Sequence, residues 1–184
     1  MAIYNLGSIN VDYFYSLPHL VRPSETLAAN DFKQGLGGKG ANQSVAIAKA
    51  GGSVKHIGAM HPAEHRYFDQ LHSLNIDTTH ISMSDTATGH GIVMVDEESA
   101  ENQIVVYPGA NVAITEQMVE EGLSDASSSD WALCQNETSQ TDYFMRSAKA
   151  KGMNLCYSAA PFDAEKALQM LPLVNMLVVN EIEA

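Results

Sequence analysis

The sequence predicts an α/β fold built around a mostly parallel β-sheet. Short apolar runs rich in β-forming residues recur along the chain, and amphipathic, helix-like segments separate several of them. This alternation is typical of βαβ units, whose strands lie parallel in one sheet. The chain has 184 residues, 45% of them hydrophobic, which is enough for one domain with a buried core.

Five apolar runs predict the parallel strands, and five segments after or between them predict helices. The predicted strands cover residues 2–9, 54–60, 131–135, 153–157 and 175–179. The predicted helices cover residues 41–50, 63–74, 115–123, 141–151 and 163–171. Gly51 and Gly152 follow predicted helices as C-terminal stops, and Asp163 is a predicted N-cap. Two β-rich runs flank the acidic segment 96–102 and predict a β-hairpin outside the parallel sheet.

Composition limits the binding partners and the cellular compartment that we expect for this protein. The chain carries 10 basic and 22 acidic residues, a net charge of −12, so it lacks the positive surface that nucleic-acid binding needs. No window approaches the roughly 20 apolar residues of a membrane span, so a membrane is not an expected partner. Residues 1–12 show no secretory signal, and Cys134 and Cys156 lie in predicted strands, which favours reduced thiols and a cytoplasmic location.

A glycine-rich segment at residues 35–40 matches G-x-G-x-x-G, but its context argues against a dinucleotide site. No buried strand is predicted before it, and no acidic residue follows about 20 positions on. It is not a P-loop, because Gly40 stands where Ser or Thr must follow Lys39. Such a loop can expose bare backbone N–H groups to a ligand, with Asn42 one turn into the helix. A tight turn feeding a helix remains the alternative.

Asn10 and Asp12 follow the first predicted strand, at the sheet edge where open α/β proteins bind ligands. A carboxylate accepts two hydroxyl hydrogens, and an amide both donates and accepts, so the pair suits a vicinal diol. Shaping a turn is the equally weighted alternative for these two residues.

A histidine motif at residues 61–65 matches the H-x-x-E-H order of one class of zinc protease. Pro62 belongs in a first helical turn, which would leave His61 at the cap and off the face that carries His65. No distal glutamate ligand can be assigned. Solvated histidines around a helix start are therefore the preferred interpretation.

Glu137 and Glu183 each lie just beyond a predicted strand, on the same sheet edge as Asp12. Such acids can act in general acid/base chemistry or hold Mg²⁺ through water, and they can also be ordinary loop residues. Asn180 is the predicted cap of a helix that has Glu183 in its first turn.

Four segments in chain order resemble the PfkB carbohydrate kinase family. They are GSINVD at residues 7–12, PSET at 23–26, GGKGANQ at 37–43 and NEIE at 180–183. The resemblance implies a ribokinase-like, Rossmann-type three-layer sandwich with a mostly parallel sheet and a small β-lid. Residues 10–43 and 88–111, including the hairpin and a strand-like segment at 27–34, would contribute that lid. The lid of the family closes over the sugar and often forms a homodimer interface.

The resemblance also implies roles for individual residues. The sugar hydroxyls would be held by Asn10, Asp12, Gly38, Lys39 and Asn42, with Glu137 approaching from the opposite loop. Asn180 would help to place the phosphates of ATP, and Glu183 the Mg²⁺ ion, through water. The implied reaction is phosphorylation of the primary hydroxyl of ribose or a similar pentose. A monovalent cation is expected in the complete enzyme.

The sequence departs from the family pattern at several points. Residues 60–63 replace the usual Gly-Asp loop, and Ala159 stands in place of a usual proline. The Gly-Ala-Gly-Asp motif that supplies the base and the anion hole is missing, since no glycine follows Gly152. We therefore expect an N-terminal portion, with the C-terminal part of the fold absent, that binds sugar but has no catalytic residue of its own. A non-catalytic carbohydrate-binding or interaction module, or half of a split enzyme, is the alternative, and an oxidoreductase is a distant third.

Overall fold

The structure, a computed structural model, describes residues 1–181, which form two β-sheets and five α-helices. The strands, in chain order, are β1 (Ile3–Leu6), β2 (Asn10–Leu17), β3 (Asp31–Gly37), β4 (Val54–Met60), β5 (Asp77–Met83), β6 (Gly89–Asp96), β7 (Asn102–Tyr107), β8 (Trp131–Cys134), β9 (Asn154–Ser158) and β10 (Met176–Val178). The helices are α1 (Lys39–Lys49), α2 (His65–Ser73), α3 (Glu116–Gly122), α4 (Thr141–Ala150) and α5 (Ala164–Met170). The predicted Glu183 site lies outside the described residues.

The main sheet has six parallel strands in the order β10-β9-β8-β1-β4-β5. Its two faces carry separate cores, which makes three layers. On one face, β1, β8 and β9 pack against α3, α4 and α5 through residues such as Tyr4, Phe144 and Met170. On the other face, β4 and β5 pack against α1 and α2 through Ala41, Tyr67 and Leu71. This architecture confirms the predicted α/β class.

The second sheet has four strands in the order β3-β2-β6-β7. Its central pair, β2 and β6, is parallel, and both outer pairs are antiparallel. The predicted hairpin is therefore confirmed as β6 and β7, outside the parallel sheet. The predicted strand-like segment at 27–34 is placed wrongly, because β3 begins at Asp31. Before it, Asn30 N donates to Ser16 O at 2.8 Å and sets the register with β2.

All five predicted parallel strands form, and β4 has the predicted bounds. The sheet has one further strand, β5, which the apolar pattern missed. Its sequence, DTTHISM, is largely polar because β5 is an edge strand with one neighbour. The predicted caps hold: the Asp163 carboxylate accepts from Lys166 N at 3.1 Å, and Gly51 and Gly152 have positive φ. Both cysteines are free, and no helix within residues 1–181 has the length and apolar character to cross a bilayer.

Candidate functional site

A cavity of about 550 Å³ lies where the second sheet meets the carboxyl edge of the main sheet and the start of α1. All six of the predicted substrate-binding residues line it: Asn10, Asp12, Gly38, Lys39, Asn42 and Glu137. They come from three separate parts of the chain, namely β2, the N-terminal turn of α1 and the loop after β8. The fold thus gathers residues that are more than a hundred positions apart in the sequence.

Asn10 and Asp12 lie within β2, so the interpretation of these residues as a turn is wrong. The main chain leaves β1 at Leu6 and enters the second sheet at Asn10 after three residues. Side chains two positions apart on a strand share one face, so Asn10 and Asp12 both project into the cavity.

Two glycines in the neighbouring strands make room for the Asp12 carboxylate. A Cβ atom added to Gly37 in β3 would lie 1.9 Å from Asp12 Oδ2, and one added to Gly91 in β6 would lie 2.9 Å from Oδ1. The carboxylate therefore lies across the backbone of both neighbours. No hydrogen bond from the described residues reaches it, which leaves both oxygens as acceptors for a ligand.

The surroundings of Asp12 shift the pKa of its carboxyl. Burial raises the pKa of its carboxyl above the ordinary value, and the negative charge of Glu137 raises it further. A bound ligand that donates hydroxyl hydrogens would favour the ionised form and oppose this rise.

Glu137 lies on the opposite side of the cavity and binds the N-terminal turn of α1. Its Oε2 atom accepts from the Ser8 hydroxyl at 2.5 Å and from Lys39 N at 2.9 Å, and the same hydroxyl accepts from Gly40 N at 3.1 Å. An anion is stabilised at a helix N-terminus, where backbone N–H groups are unpaired. Glu137 thus joins the loop after β8 to the first turn of α1 and to the loop after β1.

Gly38 and Gly40 are required by close approach of the backbones at this helix start. Gly38 has φ of 90°, and a Cβ there would lie 2.7 Å from Ser8 O. A Cβ on Gly40 would lie 2.2 Å from the Cα of Gly7. The predicted loop of bare backbone is therefore one residue long, since Gly37 ends β3 and Lys39 begins α1.

Asn111 is a site residue that the sequence reasoning missed. It lies in a short 3₁₀ turn (Gly109–Val112), 1% exposed, and its side chain bonds Ile9 N and the amide of Asn10. Partners about a hundred residues away leave no local pattern, so no signal in the sequence singled it out.

A buried polar network lies behind the cavity and ties α1 to the main sheet. Asn5 Nδ2 donates to Gly40 O at 2.9 Å and to the Ser44 hydroxyl at 2.8 Å. That hydroxyl contacts His56 Nδ1 at 2.8 Å, and His56 Nε2 lies 3.1 Å from Gly7 O. Burial lowers the pKa of His56 from 6.5 to about 4, so the imidazole is neutral at pH 7.

The rest of the cavity combines apolar walls with a polar mouth. The apolar lining includes Val93, Ile104, Val106, Pro108 and Val112, contributed mainly by β6, β7 and the 3₁₀ turn. Asn42 and Lys166 are exposed at the rim, and Lys39 is half-buried. The second sheet therefore supplies both the Asp12 carboxylate and most of the apolar surface that faces it.

The remaining predicted residues lie apart from this cavity. His61 caps a 3₁₀ turn (Pro62–Glu64) by accepting from Ala63 N at 3.1 Å, as the placement of Pro62 predicted. Within residues 1–181, no three His, Cys, Asp or Glu residues are grouped closely enough to hold a metal ion. Asn180 is exposed after β10 and is not among the residues that line the cavity.

Comparison with known proteins places the fold and the motifs in one family. The family model described as "pfkB family carbohydrate kinase" matches residues 3–184. The chain belongs to this family. It is 34% identical to the ribokinase of Haemophilus influenzae, covering 97% of this chain and 60% of that protein.

Other relatives agree. The chain is 31% identical to the ribokinase of Staphylococcus aureus, over 97% of this chain and 60% of the relative. A crystal structure of ribokinase from Cryptococcus neoformans in complex with ADP superimposes with a TM-score of 0.83 at 29% identity, covering 99% of this chain and 59% of that one. The chain thus spans about 60% of the length of these ribokinases.

Proposed function

We propose that the cavity binds a pentose, either ribose or a close analogue such as deoxyribose, for a kinase that phosphorylates the primary hydroxyl with ATP. The observation that carries this proposal is the Asp12 carboxylate, which has two open acceptor oxygens inside the cavity. Membership of the pfkB family and similarity to ribokinases support the choice of a sugar.

The donor and acceptor pattern of the cavity suits a polyol. Asp12 accepts hydrogens from two neighbouring hydroxyls, and Asn10, Asn42 and Lys39 supply donors around the same ligand. A charge-assisted bond from a hydroxyl to a carboxylate contributes roughly 1.5 to 3 kcal/mol. The apolar walls from β6 and β7 cover the carbon face of the ring. Glu137 acts from the far side, where it also holds the first turn of α1 in place.

In this proposal the second sheet, with residues 10–43 and 88–111, acts as a lid over the sugar. Closure excludes water, which strengthens the polar contacts and suppresses hydrolysis of ATP. The lid also exposes large apolar side chains on β2, β3 and β7, among them Phe14, Phe32 and Val105. We propose that this surface supports a homodimer, since an exposed apolar patch on an edge is typical of an interface.

The phosphate donor and the metal belong to the same proposal. We propose that Asn180 and Glu183 help to place the phosphates of ATP and, through water, Mg²⁺, with a monovalent cation serving the complete enzyme. Mg²⁺ would neutralise charge on the transferred phosphate when bound. The contribution proposed for the residues that line the cavity is binding and orienting the sugar.

Calorimetric titration of the 184-residue protein with ribose tests the sugar site. We expect binding in the wild type and a loss of at least about tenfold in affinity for Asp12→Ala, since about 1.4 kcal/mol corresponds to tenfold. Asp85→Ala, which removes an exposed carboxylate outside the cavity, serves as the matched control and should bind like the wild type. Absence of ribose and deoxyribose binding in the wild type would contradict the proposal.

An ATP turnover assay tests whether these residues transfer phosphate as well as bind the sugar. We propose that these 184 residues bind the sugar but do not transfer phosphate, because the glycine-rich motif of the family that carries the base has no counterpart after Gly152. We expect no ribose-dependent turnover. Turnover that disappears in Asp12→Ala would contradict this part of the proposal and leave the sugar site standing.

A further inference from the structure

We propose that Asn111 is a positioning residue that fixes the Asn10 amide with its nitrogen toward the cavity, so that Asn10 acts as a hydrogen-bond donor to the sugar. This inference rests on the proposed function for the identity of the ligand. The orientation of the two amides follows from the structure alone.

A backbone N–H group sets the orientation at one end of the pair. Ile9 N donates to Asn111 Oδ1 at 2.9 Å, and a backbone nitrogen can act only as a donor. The oxygen of Asn111 must therefore face Ile9. Its nitrogen then faces Asn10, where Nδ2 donates to Asn10 Oδ1 at 2.8 Å.

The second amide inherits this orientation. With Oδ1 of Asn10 held by Asn111, the Nδ2 atom of Asn10 must point the other way. That nitrogen donates no hydrogen bond to the described residues and is open to the cavity. Rotating Asn10 by 180° would bring two amide nitrogens together and leave a buried donor of Asn111 unpaired, which is unfavourable.

The surroundings hold the pair tightly. Asn111 is enclosed, and its backbone is anchored on both sides, since its carbonyl accepts from Ser139 N and its N–H donates to Pro108 O, both at 3.1 Å. Gly89 in β6 lies directly against the pair. A Cβ there would lie 2.2 Å from Asn111 Nδ2 and 2.4 Å from Asn10 Oδ1.

The fixed orientation gives Asn10 and Asp12, two neighbours on one face of β2, different hydrogen-bonding roles. Asn10 offers hydrogens, and Asp12 offers lone pairs. A sugar hydroxyl can both donate and accept, so adjacent hydroxyls can satisfy both residues at once. The ligand position facing Asn10 must present an oxygen lone pair, which selects for a hydroxyl and against a deoxy carbon at that position.

Two isosteric substitutions should each replace the cavity-facing nitrogen of residue 10 with an oxygen, in different ways. In Asn111→Asp, Ile9 N still has an acceptor, but Asn10 now faces a carboxylate and rotates to donate to it. In Asn10→Asp, the bond from Asn111 is kept, and the second carboxylate oxygen faces the cavity. Both variants therefore place an oxygen where the wild type has a nitrogen. Asn75→Asp makes the same exchange at an exposed loop position and is the matched control.

Side-chain amide hydrogen exchange, followed by NMR on the full 184-residue chain without sugar, tests the orientation directly. We expect slow exchange for the Asn111 amide and exchange at least about tenfold faster for the Asn10 amide. Asn111→Asp should slow exchange at Asn10, and Asn10→Asp should leave Asn111 protected. An Asn10 amide that is protected in the wild type would overturn the inference, even if Asn111→Asp does not fold.

Titration with ribose and its monodeoxy analogues tests the consequence for selectivity. We expect both variants to lose about tenfold in ribose affinity and to lose discrimination against the same single deoxy analogue. Equal weakening toward every analogue would indicate a merely structural role and overturn the inference. A wild type that binds none of these sugars would count against the proposed function, and amide exchange would still decide the orientation.

Discussion

The two sheets of this protein are built for different purposes. The main sheet and the helices packed on its two faces, together called the main body, carry most of the fully buried side chains. The second sheet is thin and open, and every residue of β7 is exposed. Yet the second sheet supplies Asn10, Asp12 and most of the apolar lining of the cavity. Stability and ligand recognition are therefore expected to separate between the two sheets when residues are changed.

The largest expected effect is the loss of a core side chain from the main body. Phe144 in α4 is fully buried, so Phe144→Ala should lower the free energy of unfolding by about 4 kcal/mol. Phe32 in β3 is 49% exposed and contacts Tyr13 and Tyr15, so Phe32→Ala should cost about 1 kcal/mol. Urea unfolding compares the two variants. Equal losses would break the proposed contrast between the sheets.

The buried His56 predicts a pH dependence that belongs to the main body. Its pKa is lowered to about 4 in the folded protein, while the unfolded chain takes up a proton near pH 6.5. The unfolded state thus binds more protons, and stability should fall by about 3 kcal/mol as the pH drops from 7 to 4.

His56→Gln removes this contribution and should flatten the pH profile of thermal unfolding over that interval. His65→Gln, at an exposed helix position, is the control and should keep the wild-type slope. An unchanged slope in His56→Gln would show that the imidazole does not titrate as its burial requires.

In the second sheet, the sharpest test compares two glycines of the same strand. Gly37→Ala would place a Cβ 1.9 Å from Asp12 Oδ2, whereas a Cβ on Gly35 meets nothing within 4 Å. We expect Gly37→Ala to reduce ribose affinity by about tenfold or more by displacing the carboxylate. Gly35→Ala should bind like the wild type. Similar affinities for the two variants would mean that the glycine cradle, formed by Gly37 and Gly91 against the carboxylate, does not position Asp12.

The smallest expected effect is a shift in the pH profile of sugar binding. Burial and Glu137 both raise the pKa of Asp12, so acidification should protonate this carboxyl earlier than an ordinary aspartate and weaken binding. Glu137→Gln removes the negative charge that raises the pKa of Asp12. The pH midpoint of ribose binding in this variant should therefore move to lower pH. Glu98→Gln, an exposed change, should leave the midpoint in place. A midpoint that moves upward in Glu137→Gln would contradict the assigned cause.

The sequence predicted the main sheet better than the second sheet, and the reason is physical. The run at β4 contains the apolar residues Val54, Ile57, Ala59 and Met60, and six of its seven residues are buried in the sheet, so its bounds were predictable. The strands β2 and β5 are interrupted by polar residues, because one carries site residues and the other lies at an edge. Burial produces a local apolar pattern, and polar residues at a candidate site or at a sheet edge interrupt it.

The same limit applies to the site. Glu137 could be found because it follows a predicted strand, and Asn10 and Asp12 because they follow another. Asn111 and the glycine cradle of Asp12 could not, since their importance lies in contacts with residues far away in the chain. Such contacts exist only after β2 and β6 have paired.

A crystal structure of the chain with ribose tests most directly the claim that the two sheets together build a sugar site. The account predicts ribose in the cavity, with two hydroxyls within hydrogen-bond distance of the Asp12 carboxylate and a hydroxyl oxygen facing Asn10 Nδ2. Ribose bound elsewhere on the chain, with the cavity lacking sugar at saturating concentration, would contradict it.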